Sequence, residues 1–272
     1  MVRSRLVLAL LAIILGVVPI AAQAVPLTLS ASGTGTGGQT ISATAVFDIV
    51  THDFGSGAVD AIQITLTNTS ATTSYRGNLI TGIFVDFAGT YDPTLPTNNT
   101  GFDGFAPTIR HSNSSTSYSK DVAPAVNNTA TDGTWILANG PFGSSKIGVD
   151  YSAYDFAITT VGNSTVGTGN GNNVDGDNYG IAAAGSDLTQ DGLPQATPVI
   201  DTTVTLWILK PADFNLSLIQ GVSFGYGSLP DNNLTVEVPS VPEPGTLALV
   251  GSGLLGIAGA ARRRRKARRD VA

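Results

Sequence analysis

The chain has 272 residues, no cysteine, and 20 acidic residues against 14 basic ones. A body of roughly 220 residues buries a core without disulfides, and zero cysteine excludes thiol nucleophiles, thiolate metal sites and lipid anchoring through an N-terminal Cys. Eighteen acidic but only five basic residues lie between Val25 and Val241, a net of −13, so that segment repels nucleic acid and anionic lipid headgroups and favours cations or neutral partners.

The first element is an export signal over residues 1–24. Arg3 and Arg5 precede an apolar run from Leu6 to Val18, Pro19 ends it, and Ala22-Gln23-Ala24 follows. Basic start, short apolar core and A-x-A form the secretory pattern, with Ala22 and Ala24 at the positions a signal peptidase inspects. Thirteen apolar residues fall short of the ~20 that a membrane-spanning helix needs. Cleavage after Ala24 is expected to leave Val25 as the new N-terminus.

The body, 25–238, shows no long helical pattern but repeated alternation of period two. Ile41, Ala43, Ala45, Phe47 and Ile49 oppose Ser42, Thr44 and Asp48; Ile62, Ile64 and Leu66 alternate with Gln63, Thr65 and Thr67. Val204, Leu206 and Ile208 alternate with Thr203, Thr205 and Trp207, and Val222, Phe224 and Tyr226 repeat the rule. Each reads as a half-buried strand. Leu79 to Phe87, more continuously apolar, suits a central strand, and Asp53-Phe54-Gly55-Ser56-Gly57 and Asp132-Gly133 mark turns. The expected fold is all-β, an antiparallel, jelly-roll-like β-sandwich, flanked by the N-terminal signal helix and a C-terminal transmembrane helix. Thr90 to Asn128, with four prolines, and Val161 to Pro198, rich in Gly, Asn and Asp, read as long loops. Seven N-x-[ST] sequons, the first at Asn68, read as marks of surface loops.

Chemistry is sparse. The histidines are His52 and His111, with no G-x-S-x-G, H-E-x-x-H or phosphate-cradling glycine loop around them. Seventeen aspartates against the single Glu237 in the body are first explained as turn formers. No catalytic residue is assigned and no enzyme is expected. Asn173, Asp175 and Asp177 place oxygen side chains at alternate positions of an acidic loop, a spacing that suits Ca²⁺. Simple turn formation competes with that reading, and the pattern is not an EF-hand: Asn178 and Ala184 stand where Gly and Glu belong. Trp207 shares the polar side of its strand; an outward indole either stacks on sugar rings or plugs a sandwich edge.

The tail, 239–272, closes the chain order. Pro242-Glu243-Pro244 follows Pro239, and these three prolines fix φ and remove donors, which keeps the stretch extended and accessible. Thr246 to Ala261 is a 16-residue uncharged run, followed by Arg262, Arg263, Arg264, Arg265, Lys266, Arg268 and Arg269. Such a helix is about 24 Å long against a ~30 Å hydrocarbon core, and it spans if the arginines snorkel and the bilayer thins. The basic cluster would stop transfer on the cytoplasmic side, leaving the body outside.

A Pro-Glu-Pro triplet, a short apolar helix and an arginine cluster in that order resemble the PEP-CTERM sorting signal of Gram-negative bacteria. The resemblance covers the last thirty or so residues. It implies a chain exported through the inner membrane, anchored transiently by its C-terminal helix, then cut near the triplet by an exosortase-type enzyme and delivered to the cell surface or matrix. Signal peptidase, the sorting enzyme and exopolysaccharide are the implied partners. The body is read as structural or adhesive. Its alternatives are a carbohydrate- or ice-binding module, for which only scattered Thr-x-Thr pairs speak (Thr34/Thr36, Thr65/Thr67, Thr203/Thr205), and a secreted hydrolase.

Overall fold

The computed structural model describes residues 25–73, 75–88, 101–111, 117–121, 125–126, 135–139, 154–160, 180–186, 198–227 and 234–237. The expected signal helix, the C-terminal helix and the basic cluster lie outside the described residues. Among those described there is no α-helix, and strands dominate.

In chain order the strands are β1 Leu27–Thr34, β2 Thr40–Asp53, β3 Ala58–Asn68, β4 Ile80–Phe87, β5 Phe102–His111, β6 Ser117–Asp121 and β7 Ala125–Val126. They continue as β8 Ile136–Asn139, β9 Phe156–Thr159, β10 Ile181–Ala182, β11 Pro198–Asp201, β12 Thr203–Leu209, β13 Ile219–Tyr226 and β14 Leu234–Glu237. All fourteen belong to one sheet, ordered β1-β2-β3-β12-β5-β11-β10-β4-β9-β8-β7, with β6 on β5, β13 on β4 and β14 on β13.

The expected pair of separate sheets is therefore corrected to a single, nearly closed, barrel-like sheet. The reason lies at Thr202. This residue, at φ 74°, separates β11 from β12. β12 pairs β3, whereas β11 on the far side of the break pairs β10, which passes the ladder on to β4. An extra residue in one strand bends it sharply, and here the bend turns the corner between the two halves. Two pairings, β10 with β11 and β7 with β8, are parallel, so the sheet is mixed rather than purely antiparallel.

The alternating segments behave as read. Ile41, Ala43, Ala45 and Phe47 of β2, Ile62, Ile64 and Leu66 of β3, and Val204, Leu206 and Ile208 of β12 enter one core with Val85, Phe87, Phe156, Ile158, Val222 and Phe224. β4 is buried along most of its length and is central, pairing β9, β10 and β13. β13 departs from the rule: Ser223, on its expected polar side, is fully buried, as are Gly221 and Gly225.

Two expected loops contain strands. The ten-residue β5 lies inside Thr90 to Asn128 and pairs β12, β11 and β6. Its Pro107 falls within the register shift between Ala106 and Ile109, where no ladder donor is required. β10 lies inside Val161 to Pro198, in the buried segment 180–183.

Asn68 corrects the reading of its sequon as surface loop. It is 2% exposed at the end of β3, donating to the Ile181 carbonyl at 2.8 Å and the Asn78 carbonyl at 3.3 Å, and accepting from the Ser70 N–H at 3.1 Å. It fastens β3 to β10 at the same corner.

Candidate functional site

Outward-facing residues of β2, β3, β12 and β5 line up in cross-strand rows. One row runs Asp48–Gln63–Trp207–Asp103, and the next Val46–Thr65–Thr205–Phe105. A third holds Ser30, Thr44, Thr67 and Thr203. Neighbouring strands lie about 4.8 Å apart, so Asp48 and Asp103 bracket the first row at roughly 14 Å, three strand spacings. No lysine or arginine stands in these three rows.

Aromatic rings gather at the hairpin end. His52 of β2 reaches across β3 and lies flat on Trp207, ring centroids 4.5 Å apart and planes 4° from parallel. Its Nε2 sits 3.0 Å from Asp103 Oδ2, and Phe54 meets its edge at 4.7 Å. Ala61, on the same face, is completely buried, as a residue beneath such a stack must be. The hairpin tip is held by Asp53, whose carboxylate accepts from the Gly55 and Gly57 N–H groups at 2.8 and 2.9 Å. Those two donors keep the Asp53 carboxyl below the usual range. Both glycines have positive φ, which the turn requires.

Trp207 thus points outward as expected but is only half exposed, because His52 covers one of its faces. Phe105, Val59 and Leu209 are the open apolar side chains of this end. The hydroxyl rows are partly self-satisfied: Thr67 Oγ1 and Thr203 Oγ1 are 3.0 Å apart, Ser30 Oγ and Thr44 Oγ1 2.8 Å. Two of the Thr-x-Thr pairs, Thr65/Thr67 and Thr203/Thr205, are brought side by side; Thr34 and Thr36 lie elsewhere.

A second acidic locus sits beside β4. Asp155 Oδ2 accepts from the Phe87 N–H at 2.7 Å, and Asp86 has its carboxyl raised above the usual range by burial and then by the Asp155 charge. Among the described residues no group of three or more His, Asp or Glu side chains could hold a metal ion. Asn173, Asp175 and Asp177 lie outside the described residues, as do Ala22, Ala24, Pro242, Glu243, Pro244 and the basic residues from Arg262 to Arg269. Sequence reading missed the His52–Trp207–Asp103 cluster and the exposure of Phe105; no local signal links β2, β5 and β12, which only the register brings together.

Residues 240–265 match the family model of the PEP-CTERM protein-sorting motif. No match to the chain was found among curated proteins or among solved structures.

Proposed function

From the premise that residues 240–265 are a PEP-CTERM protein-sorting motif, which implies export and sorting by an exosortase-type enzyme to the cell surface or beyond, we propose that the body is a non-enzymatic adhesive protein of the extracellular matrix, holding exopolysaccharide. The observation that carries this reading is the pairing of that motif with an exposed face of aromatic, hydroxyl, amide and carboxylate side chains around Phe105, Thr205, Gln63 and Asp103. Aromatic faces beside hydrogen-bonding groups suit an amphipathic partner such as a sugar chain. The non-enzymatic part rests on His52. Its Nε2 faces Asp103 and its ring is stacked on Trp207, an arrangement that anchors a hairpin rather than activates a nucleophile.

The sheet also suits its delivery. β14 ends at Glu237, five residues before Pro242, so cutting near the triplet leaves every described strand whole. The uncharged run 246–261 serves in this reading as a transient anchor. Replacing Pro242, Glu243 and Pro244 by alanine in the native host tests it. The unaltered protein is expected outside the cell, beginning at Val25 and ending near Pro242–Gly245. The triple variant is expected in the membrane fraction, still carrying Arg262 to Arg269. An unaltered protein that retains those arginines in the membrane overturns the sorting reading.

A second reading, ice binding, draws on the Thr65/Thr67 and Thr203/Thr205 rows. The hydroxyl pairing of Thr67 with Thr203 weighs against it, since those groups already bond each other.

A further inference from the structure

The chemical class of the polysaccharide follows from the charges around Phe105. Asp48 and Asp103 end the row that contains Gln63 and Trp207, one row from Phe105. Among the described residues no lysine or arginine side chain stands in these rows, and the His52 ring is already set against Asp103. Lys210 is directed to Asp60 at 4.0 Å and to the Pro211 carbonyl at 3.2 Å. The whole segment from Val25 to Val241 adds a net charge of −13.

Such a face disfavours the uronate- or sulfate-bearing chains that many matrices contain, because each ligand charge would meet carboxylates in rows that hold no lysine or arginine. It complements the opposite kind of chain. Phe105 is 38% exposed, with Asp103 two residues away on the same strand and Thr205 opposite. A sugar ring carrying an ammonium group presents an apolar C–H face to the phenyl ring and a cation to both ring and carboxylate. Resting on the adhesive reading above, we propose that the face formed by Phe105, Gln63, Asp48 and Asp103 binds a polysaccharide of amino sugars with free ammonium groups.

The site is distinct from a general attraction of acidic protein for polycation. It has a fixed aromatic contact, and it has a centre, Gln63, from which a bulky cation would expel the ligand. Both Phe105 and Gln63 point outward from the sheet, so changing them leaves the core and the His52–Trp207 stack in place.

The test uses the processed protein recovered from the host medium, with soluble chitosan, dextran and alginate as cationic, neutral and anionic probes. Chitosan is expected to bind, with Phe105→Ala weakening it about fivefold, the worth of one exposed cation–π contact, and Gln63→Arg weakening it further. Chitosan binding unchanged in both variants overturns the site and leaves only diffuse charge. Dextran or alginate binding as tightly as chitosan, and sensitive to Phe105→Ala, overturns the amino-sugar assignment while sparing the adhesive reading. Failure to bind any of the three overturns the adhesive reading itself.

Discussion

Asn68 offers the sharpest check on how the corner of the sheet is held. Replacement by alanine deletes two donated and one accepted hydrogen bond in a site almost closed to water. Each such bond contributes about 1 kcal/mol net, and a buried carbonyl left without its donor costs about 1–3 kcal/mol. Part of the loss is recovered as neighbours relax, so Asn68→Ala is expected to destabilise the body by about 3 kcal/mol. Asn68→Asp keeps the shape but turns the two donors into a carboxylate oxygen facing two carbonyls, and should cost more at neutral pH. Its acid can again donate once protonated, so that variant alone should regain stability as the solution is acidified. Urea unfolding of the processed protein, followed by tryptophan fluorescence, gives both values. An Asn68→Ala variant within about 0.5 kcal/mol of the unaltered protein, with the same denaturant slope, would refute the claim that these bonds close the corner.

Two further outcomes are expected. Thr202 is β-branched at φ 74°, a conformation that costs a non-glycine residue about 1–3 kcal/mol. Thr202→Gly relieves it at the expense of chain entropy and the hydroxyl contact to Asp201, so a net gain of about 1 kcal/mol should appear as a higher melting temperature; a lower one contradicts the strain argument. Asp86 has its folded pKa raised, first by burial and then by Asp155. A raised folded pKa means that its contribution is fully present below the unfolded carboxyl range and is lost as pH rises through the folded one. Asp86→Asn should therefore gain most over the unaltered protein at neutral pH and little in acid, read from urea midpoints at the two conditions.

The legible part of the fold was the part written in local alternation. β2, β3 and β12 are long, keep one face toward the core, and could be read from period two alone. β5 could not, because Pro107 and its Asn- and Ser-rich surroundings carry loop composition; the proline is tolerated only because it coincides with a shift in pairing with β6. β10 is two residues long, too short for any periodicity, yet it joins the halves. Burial of Ser223 depends on what packs across β13, which alternation does not encode. Of the candidate face, the outward turn of Trp207 was readable from its strand. Its partner His52 was not, since nothing near either residue announces the other. The sorting tail was legible because its three features are contiguous and ordered.

The first and last described strands, β1 and β14, are neighbours at the place where the sheet nearly closes. A flexible glycine- and serine-rich linker can join their outer ends. Joining residue 237 to residue 25 and opening the chain at the exposed tip, between Gly55 and Gly57, would therefore give a circular permutant that keeps every described strand. Its new termini would emerge beside Phe54, close to the His52–Trp207 stack, so a tag placed there would report directly on the proposed binding face.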